Sequence, residues 1–140
     1  MRSISLKAAV IGGLVEFALT VLVAFLFSVA LLLPRLGKLM ESAATVGAEV
    51  GQSWTYQASA WVIGSISSVV GGYVAARIAG HDEIANGAAS AWLSIAFNVW
   101  QWAFPPDTTA LVYSITMIVA APLLGAFGGY LKRGRKPLPV

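Results

Sequence analysis

Charged residues are scarce in this chain of 140 residues. Asp, Glu, Lys and Arg together make up 11% of the sequence, whereas soluble domains usually carry about 25%. Hydrophobic residues make up 58%, and the mean hydropathy is +0.78. This balance argues against a soluble globular domain and is typical of an integral membrane protein.

Cysteine is absent, which excludes disulfide bonds and thiolate metal ligands. The one histidine, His81, lies in a short polar turn with Asp82 and Glu83, and no second group of ligand residues accompanies it. The sequence also lacks a nucleophile–base pair and a basic patch interleaved with aromatic residues. We therefore expect no enzyme activity, no catalytic residue, no metal, no cofactor and no nucleic-acid partner.

Four apolar stretches are long enough to cross a bilayer, which takes about 20 residues of helix. They lie at about residues 8–33, 54–79, 84–104 and 109–131, and a basic tail follows at residues 132–140. Pro34 should end the first helix, and Gly80 suits the C-cap of the second. Asp82 suits the N-cap of the third helix, with Glu83 favourable in its first turn. The sequence predicts one all-α domain, a bundle of four transmembrane helices.

The longest connection, residues 35–53, carries apolar residues at helical spacing. They are Leu36, Leu39, Met40, Ala43, Val46 and Val50. This pattern predicts a short amphipathic helix at the membrane surface in the first outer loop. The alternative is an ordinary polar loop.

The basic residues are distributed unevenly between the two sides of the predicted bundle. With the N-terminus inside, seven of the nine Lys and Arg residues fall on the inner side: Arg2, Lys7, Arg77, Lys132, Arg133, Arg135 and Lys136. The outer side holds Arg35 and Lys38. The positive-inside rule therefore predicts that both termini lie inside. Arg77, Lys132 and Arg133 are expected at the lipid interface.

Small residues recur every fourth position along the second helix, which predicts close approach by other helices. One stripe consists of Ala60, Gly64, Ser68, Gly72 and Ala76, and a second of Ser67, Gly71, Ala75 and Ala79. The residues expected to carry helix packing are Gly12, Gly64, Ser68, Gly71, Gly72, Gly125 and Gly129.

The second and fourth helices end in similar strings, GGYV at residues 71–74 and GGYL at residues 128–131. This favours two hairpins arranged as a parallel repeat. The alternative is that paired glycines near helix ends are common in membranes.

Glu16 is the acidic residue that lies well inside a predicted span. A charged carboxylate at the bilayer centre costs about 2.5–3.5 kcal/mol on insertion scales, so it normally faces protein or water. Its helix face is small and polar and consists of Ala8, Gly12, Glu16, Thr20, Ala24 and Ser28. One interpretation is a proton or substrate path formed by Glu16, Thr20, Asn98 and Gln101. The other is a neutral carboxyl group that bonds helices together, with Asn98 and Gln101 in the same role.

The string GGYVAARIAG at residues 71–80 is followed by a short polar turn and by Asn86-Gly87-Ala88. This pattern resembles small, uncharacterised four-helix integral membrane proteins of bacteria, in which GGYxAARxAG ends the second helix and the fourth helix is rich in glycine. The resemblance implies a four-helix membrane fold and a place in the bacterial inner (plasma) membrane. It implies no activity and no catalytic residue.

The sequence thus leaves two hypotheses about function. The first is a non-catalytic membrane protein, either a packing or assembly subunit or a self-associating scaffold. Its partners would be the lipid bilayer and a homo-oligomer or larger membrane complex. The alternative is a small proton-coupled transporter or channel centred on Glu16.

Overall fold

The computed structural model describes residues 4–102 and 108–134, without the side chains of residues 39–41 and 108–110. Within these ranges every regular element is helical, which confirms the all-α class. The helices are α1 Leu6–Leu32, α2 Leu36–Glu41, α3 Ala43–Gln52, α4 Trp54–Ala79, α5 Glu83–Ala89, α6 Trp92–Gln101 and α7 Thr108–Arg133. The predicted end of the third helix at residue 104, Arg2 and the tail beyond Gly134 lie outside the described residues.

In the part of the chain that the structure describes, three helical segments are long and apolar enough to cross a membrane. They are Leu6–Lys38, Trp54–Ala79 and Leu111–Arg133. The first is α1 continued through the 3-10 turn Leu33–Arg35 into α2. The chain is therefore a membrane protein by the length and composition of its helices.

The connection after α1 differs from the prediction. α1 ends at Leu32, two residues before Pro34, as predicted. The chain nevertheless stays helical, because Pro34 lies in a 3-10 turn, where its missing N–H does no harm, and α2 follows directly. The predicted single amphipathic helix is divided into α2 and α3 at Ser42, which has an extended backbone. Val46 and Val50 of α3 are buried, so the apolar stripe does face protein along α3.

α4 begins at Trp54 and ends at Ala79, the bounds that the sequence predicts. The Ser53 hydroxyl accepts a hydrogen bond from the Tyr56 N–H at 3.2 Å. Gly80 has a φ of 68° and donates its N–H to the Ala76 carbonyl at 3.1 Å. Glycine adopts this left-handed conformation at little cost, so the helix ends sharply here.

The third predicted helix is not continuous. It is divided into α5 and α6, because the N–H groups of Ser90 and Ala91 donate to Gly87 and Ala88, three residues back, at 3.3 Å each. The Ser90 hydroxyl also donates to the Gly87 carbonyl at 2.8 Å. A serine hydroxyl on a nearby carbonyl competes with the regular helical bonding, and the helix is interrupted at this point.

Asp82 occupies the N-cap position of α5, as predicted, although its side chain makes no cap hydrogen bond. Its φ of 44° places it in the left-handed region. Its carbonyl instead accepts from the Asn86 N–H at 3.0 Å and the Asn86 side-chain amide at 3.2 Å. The Asn86 amide thus holds this turn by donating to backbone carbonyls, whereas an N-cap carboxylate would accept from backbone N–H groups.

The four long segments of the chain, α1, α4, α5–α6 and α7, run in alternating directions through the bundle. α1 is antiparallel to α4 and parallel to α5 and α6, while α4 and α7 are parallel. Two contacts establish the direction of each pair of helices. For α1 and α4 they are Gly12–Gly71 and Glu16–Ser68, and for α1 and α5–α6 they are Ser5–Asn86 and Glu16–Ser94. For α4 and α7 they are Trp61–Tyr113 and Gly72–Gly125. We name the end that contains Lys7, Arg77 and Lys132 the basic end, and the end that contains Trp61, Trp100 and Tyr113 the aromatic end.

Glycine determines the packing at the basic end. A Cβ atom built on Gly72 would lie 2.6 Å from the Cα atom of Gly125, and one on Gly87 would lie 3.1 Å from the Cα atom of Gly129. α4, α5 and α7 therefore meet backbone to backbone. The residues that the sequence assigns to packing (Gly12, Gly64, Ser68, Gly71, Gly72, Gly125 and Gly129) are each buried.

Candidate functional site

The candidate site is built around Glu16, whose exposed fraction is 2%. Its Oε1 atom accepts hydrogen bonds from the Ser68 hydroxyl of α4 at 2.6 Å and the Ser94 hydroxyl of α6 at 2.7 Å. One carboxylate oxygen therefore joins α1, α4 and α6.

The approach of α1 to α4 at this level depends on small residues. A Cβ atom built on Gly71 would lie 2.7 Å from the Cβ atom of Glu16, and one on Gly12 would lie 2.8 Å from the Gly71 carbonyl oxygen. Because neither glycine has a side chain, the Ser68 hydroxyl comes within hydrogen-bond distance of the carboxylate. The small-residue stripes thus position a polar contact as well as the packing.

A chain of polar groups leads from Glu16 toward the aromatic end. Asn98 lies one turn after Ser94 and donates its amide to the Ser94 carbonyl at 2.8 Å. The Asn98 carbonyl is within 3.3 Å of the Ser114 hydroxyl on α7, which is 3.1 Å from the indole nitrogen of Trp102. The cluster therefore also joins α6 to α7.

Two buried acceptor atoms in this cluster have no hydrogen-bond partner among the described residues. They are Oε2 of Glu16 and Oδ1 of Asn98, whose exposed fraction is 7%. Buried polar atoms are nearly always hydrogen-bonded in proteins, because leaving one without a partner costs free energy. These two oxygens are the acceptors of the cluster that remain available for a further hydrogen bond or another ligand.

Basic side chains lie far from Glu16 along the helices around it. Lys7 precedes Glu16 by nine positions, and Arg77 follows Ser68 by nine. At 1.5 Å per residue this is about 13 Å along each helix axis. α6 carries no charged residue, and the first basic residue of α7 is Lys132. The carboxylate is thus buried without a protein cation on the segments beside it.

Thr20 and Gln101, the other two residues predicted for a proton or substrate path, are not part of this chain of polar groups. The Thr20 hydroxyl donates to the Glu16 carbonyl at 2.9 Å, a bond within α1. Gln101 is half-buried near the end of α6, and no bond between described residues joins it to Glu16, Ser94 or Asn98. The structure brings Glu16 and Asn98 into one cluster, leaves Thr20 beside it and does not connect Gln101 to it.

Sequence reasoning missed two residues. One is Ser94, whose spacing of four residues from Asn98 was a usable signal. Asn86 was not singled out. It is fully buried, accepts from the Ser5 N–H at 2.8 Å and donates to the His81 carbonyl at 2.9 Å. It therefore ties the start of α1 to the turn between α4 and α5.

The residues predicted for the lipid interface all lie at the basic end. Arg77 is exposed near the end of α4, and Arg133 is exposed at the end of α7. Lys132 is half-buried beside it. Their positions suit contact with lipid headgroups, and this role stays a prediction.

No family model matches the chain, and no curated protein or solved structure matches it. The resemblance to small four-helix bacterial membrane proteins therefore also stays a prediction. Function has to be argued from the geometry of the helices and of the Glu16 cluster.

Proposed function

We propose that the protein is a non-catalytic, self-associating assembly subunit of the bacterial inner membrane with four transmembrane spans. Residues 83–101, which form α5 and α6, supply the fourth span. At 1.5 Å per residue they extend about 28 Å, close to the roughly 30 Å thickness of the hydrocarbon core. The contacts of Asn86 with Ser5 and of Ser94 with Glu16 support this, because they keep α5 and α6 alongside α1 over its first half.

We place both termini on the cytoplasmic side. The support is that Lys7, Arg77 and Lys132 share one end of the bundle, as expected for the side facing the cytoplasm. A reporter fused after Val140 should be cytoplasmic, and one inserted at Gly47 periplasmic. A periplasmic reporter at Val140 would overturn both the orientation and the number of spans.

The observation that carries self-association is the uneven burial of the small polar face of α1. Its first half, with Ala8, Gly12 and Glu16, is buried against α4, α5 and α6. After Glu16, no residue of α1 is buried, although small residues continue at Ala24 and Ser28. In lipid, helices associate through such small residues. The second half of this face suits the same helix of a second copy.

Cysteine cross-linking in native membranes tests this contact, because the chain contains no cysteine of its own. Ala24→Cys should give a disulfide-linked dimer under mild oxidation. Leu22→Cys is the matched control, since Leu22 is exposed on a different face of the same helix. A monomeric wild-type protein by native mass spectrometry, together with equal cross-linking of both variants, would overturn the proposal.

Transport through a proton-coupled path is the second candidate function. The buried Glu16 carboxylate favours it, because its Oε2 atom has no partner among the described residues. Uptake or efflux that depends on pH in proteoliposomes, and that is lost in Glu16→Gln, would favour transport. A proteoliposome flux that is the same in both proteins would eliminate it.

A further inference from the structure

The Glu16 cluster contains several buried oxygen atoms with free lone pairs. The hydroxyls of Ser68 and Ser94 donate their hydrogens to Oε1 of Glu16, which leaves the lone pairs of both hydroxyl oxygens. Oε2 of Glu16 and Oδ1 of Asn98 are acceptors without a partner in the described part of the chain. Ser94 and Asn98 are four residues apart on α6, so they share a helix face.

Neither charge state of Glu16 is satisfied by the described residues alone. An ionised carboxylate in this position is buried without a cation, which is strongly unfavourable. A protonated carboxyl with its hydrogen on Oε2 would also lack a hydrogen bond, because no described atom is bonded to Oε2, and this costs about 1–3 kcal/mol. A positive ion beside Oε2 removes both difficulties, because it balances the charge and coordinates the free oxygens.

We propose that Glu16, Ser68, Ser94 and Asn98 form a binding site for a small monovalent cation of the sodium class. Oxygen ligands suit hard cations, and a single carboxylate balances a single positive charge. Calcium takes six to eight oxygen ligands, and within residues 4–102 and 108–134 no three acidic, histidine or cysteine side chains are placed so that they could hold a metal ion together. The site lies within one chain, so it does not depend on self-association.

Binding of the cation competes with a proton for Glu16. No other titratable side chain hydrogen-bonds to its carboxylate in the described ranges. On the surrounding helices, Lys7, Tyr73, Arg77, Glu83, Tyr130, Lys132 and Arg133 lie toward the basic end, and Tyr56 and Tyr113 toward the aromatic end. A proton released on cation binding is therefore assigned to Glu16 when it disappears in Glu16→Gln.

The test uses the full chain in nanodiscs of zwitterionic lipid. Sodium chloride is added to weakly buffered protein, with choline chloride at the same ionic strength as the reference. Proton release is followed with a pH dye, and thermal unfolding by tryptophan fluorescence.

Sodium, but not choline, should release protons and raise the unfolding temperature of the wild type. Glu16→Gln should abolish both effects, and Asn98→Ala should weaken the apparent sodium affinity by about tenfold, as for loss of one ligand. Thr20→Val is the control, because that hydroxyl is bonded within α1.

Equal responses of the wild type to sodium and choline would overturn the proposal, as would a sodium response that persists in Glu16→Gln. Protonation of Glu16 that is insensitive to sodium would assign the site to a proton alone and would also overturn it. If Glu16→Gln does not fold, Asn98→Ala decides by the same comparison with Thr20→Val. The oligomer mass is measured on the same samples, so that failure of self-association is distinguished from failure of cation binding.

Discussion

The two ends of the bundle are packed by different means. At the basic end, the backbones of α4, α5 and α7 meet directly through Gly72, Gly87 and Gly125. At the aromatic end, side chains separate the helices, and Trp61 and Tyr113 pack edge to face with ring centroids 5.5 Å apart. The Glu16 cluster lies at the boundary between these two regions.

This difference determines which end can adjust. Backbone contacts fix both the distance and the register of two helices, because a glycine surface has no rotamers to change. Contacts through aromatic and methionine side chains can repack. Within the described residues, α4 packs closely on α5, whereas α6 packs mainly on α7 and α1. We therefore expect substitutions at the basic end to be the more damaging, and the site at the boundary to be held mainly from that end.

The largest effect is expected for Gly72→Leu. A Cβ atom on residue 72 would lie 2.6 Å from the Cα atom of Gly125, and a leucine side chain would force α4 and α7 apart. We expect loss of the folded bundle in detergent, measured by size exclusion and thermal unfolding. Gly47→Leu is the control, because no heavy atom lies within 4 Å of a Cβ atom there. An unfolding temperature equal to the wild type for Gly72→Leu would contradict the packing of α4 on α7.

Asn86→Leu should have the next largest effect. The amide is fully buried and bonds the Ser5 N–H and the carbonyls of His81 and Asp82. Its loss removes the bonds to the half-buried Ser5 N–H and His81 carbonyl and places an apolar side chain against them, so we expect a decrease of about 3 kcal/mol in the free energy of unfolding. Denaturant titration measures it, with Ile84→Ala at an exposed position of the same helix as control. Equal effects of the two variants would show that the amide does not tie α1 to the turn.

Glu16→Leu should destabilise the protein less, by about 1–2 kcal/mol. Both serine hydroxyls lose their acceptor, but a serine in a helix can turn to a carbonyl of its own preceding turn. Glu16→Gln should stay within about 0.5 kcal/mol of the wild type in sodium-free buffer, because its amide oxygen still accepts from both hydroxyls. Denaturant titrations of both variants check this, and a Gln variant as unstable as the Leu variant would show that charge, not hydrogen bonding, holds the cluster.

Local signals explain which parts of the fold could be predicted. The bounds of α4 follow from Ser53 and Gly80, which act within one turn of the helix ends. The break between α5 and α6 could not be predicted, because no proline interrupts residues 84–104 and the stretch is long enough for one continuous span. Contacts with α1 accompany it: the Trp92 indole donates to the Ala9 carbonyl at 3.1 Å, and a Cβ atom on Gly13 would lie 2.8 Å from the Ser90 carbonyl oxygen.

The Glu16 cluster could be predicted only in part, again because the sequence shows local signals and not the contacts between helices. Glu16 and Asn98 stand out because polar residues are rare in apolar stretches. Their connection through Ser94 depends on the relative register of α1 and α6, which no residue of either helix encodes by itself. Gln101 looked equivalent to Asn98 in the sequence, yet it lies three residues further along α6 and outside the cluster.

The smallest effect is expected for Gly64→Ala, which compares the two regions with one substitution. A Cβ atom on Gly64 would lie 2.8 Å from the terminal methyl of Met117 and 3.4 Å from the Tyr113 hydroxyl, both ends of side chains. Methionine has three rotatable bonds and can move away, while alanine is favoured over glycine in a helix by about 1 kcal/mol. We therefore expect a change within about 0.5 kcal/mol in the free energy of unfolding.

Gly72→Ala gains the same helix propensity, but its new methyl group meets the backbone of Gly125, which cannot rotate away. Overpacking should therefore cost about 3 kcal/mol. Denaturant titrations of the two alanine variants measure the difference directly. If both destabilise equally, side-chain and backbone contacts constrain α4 alike, and the two ends of the bundle do not differ in rigidity.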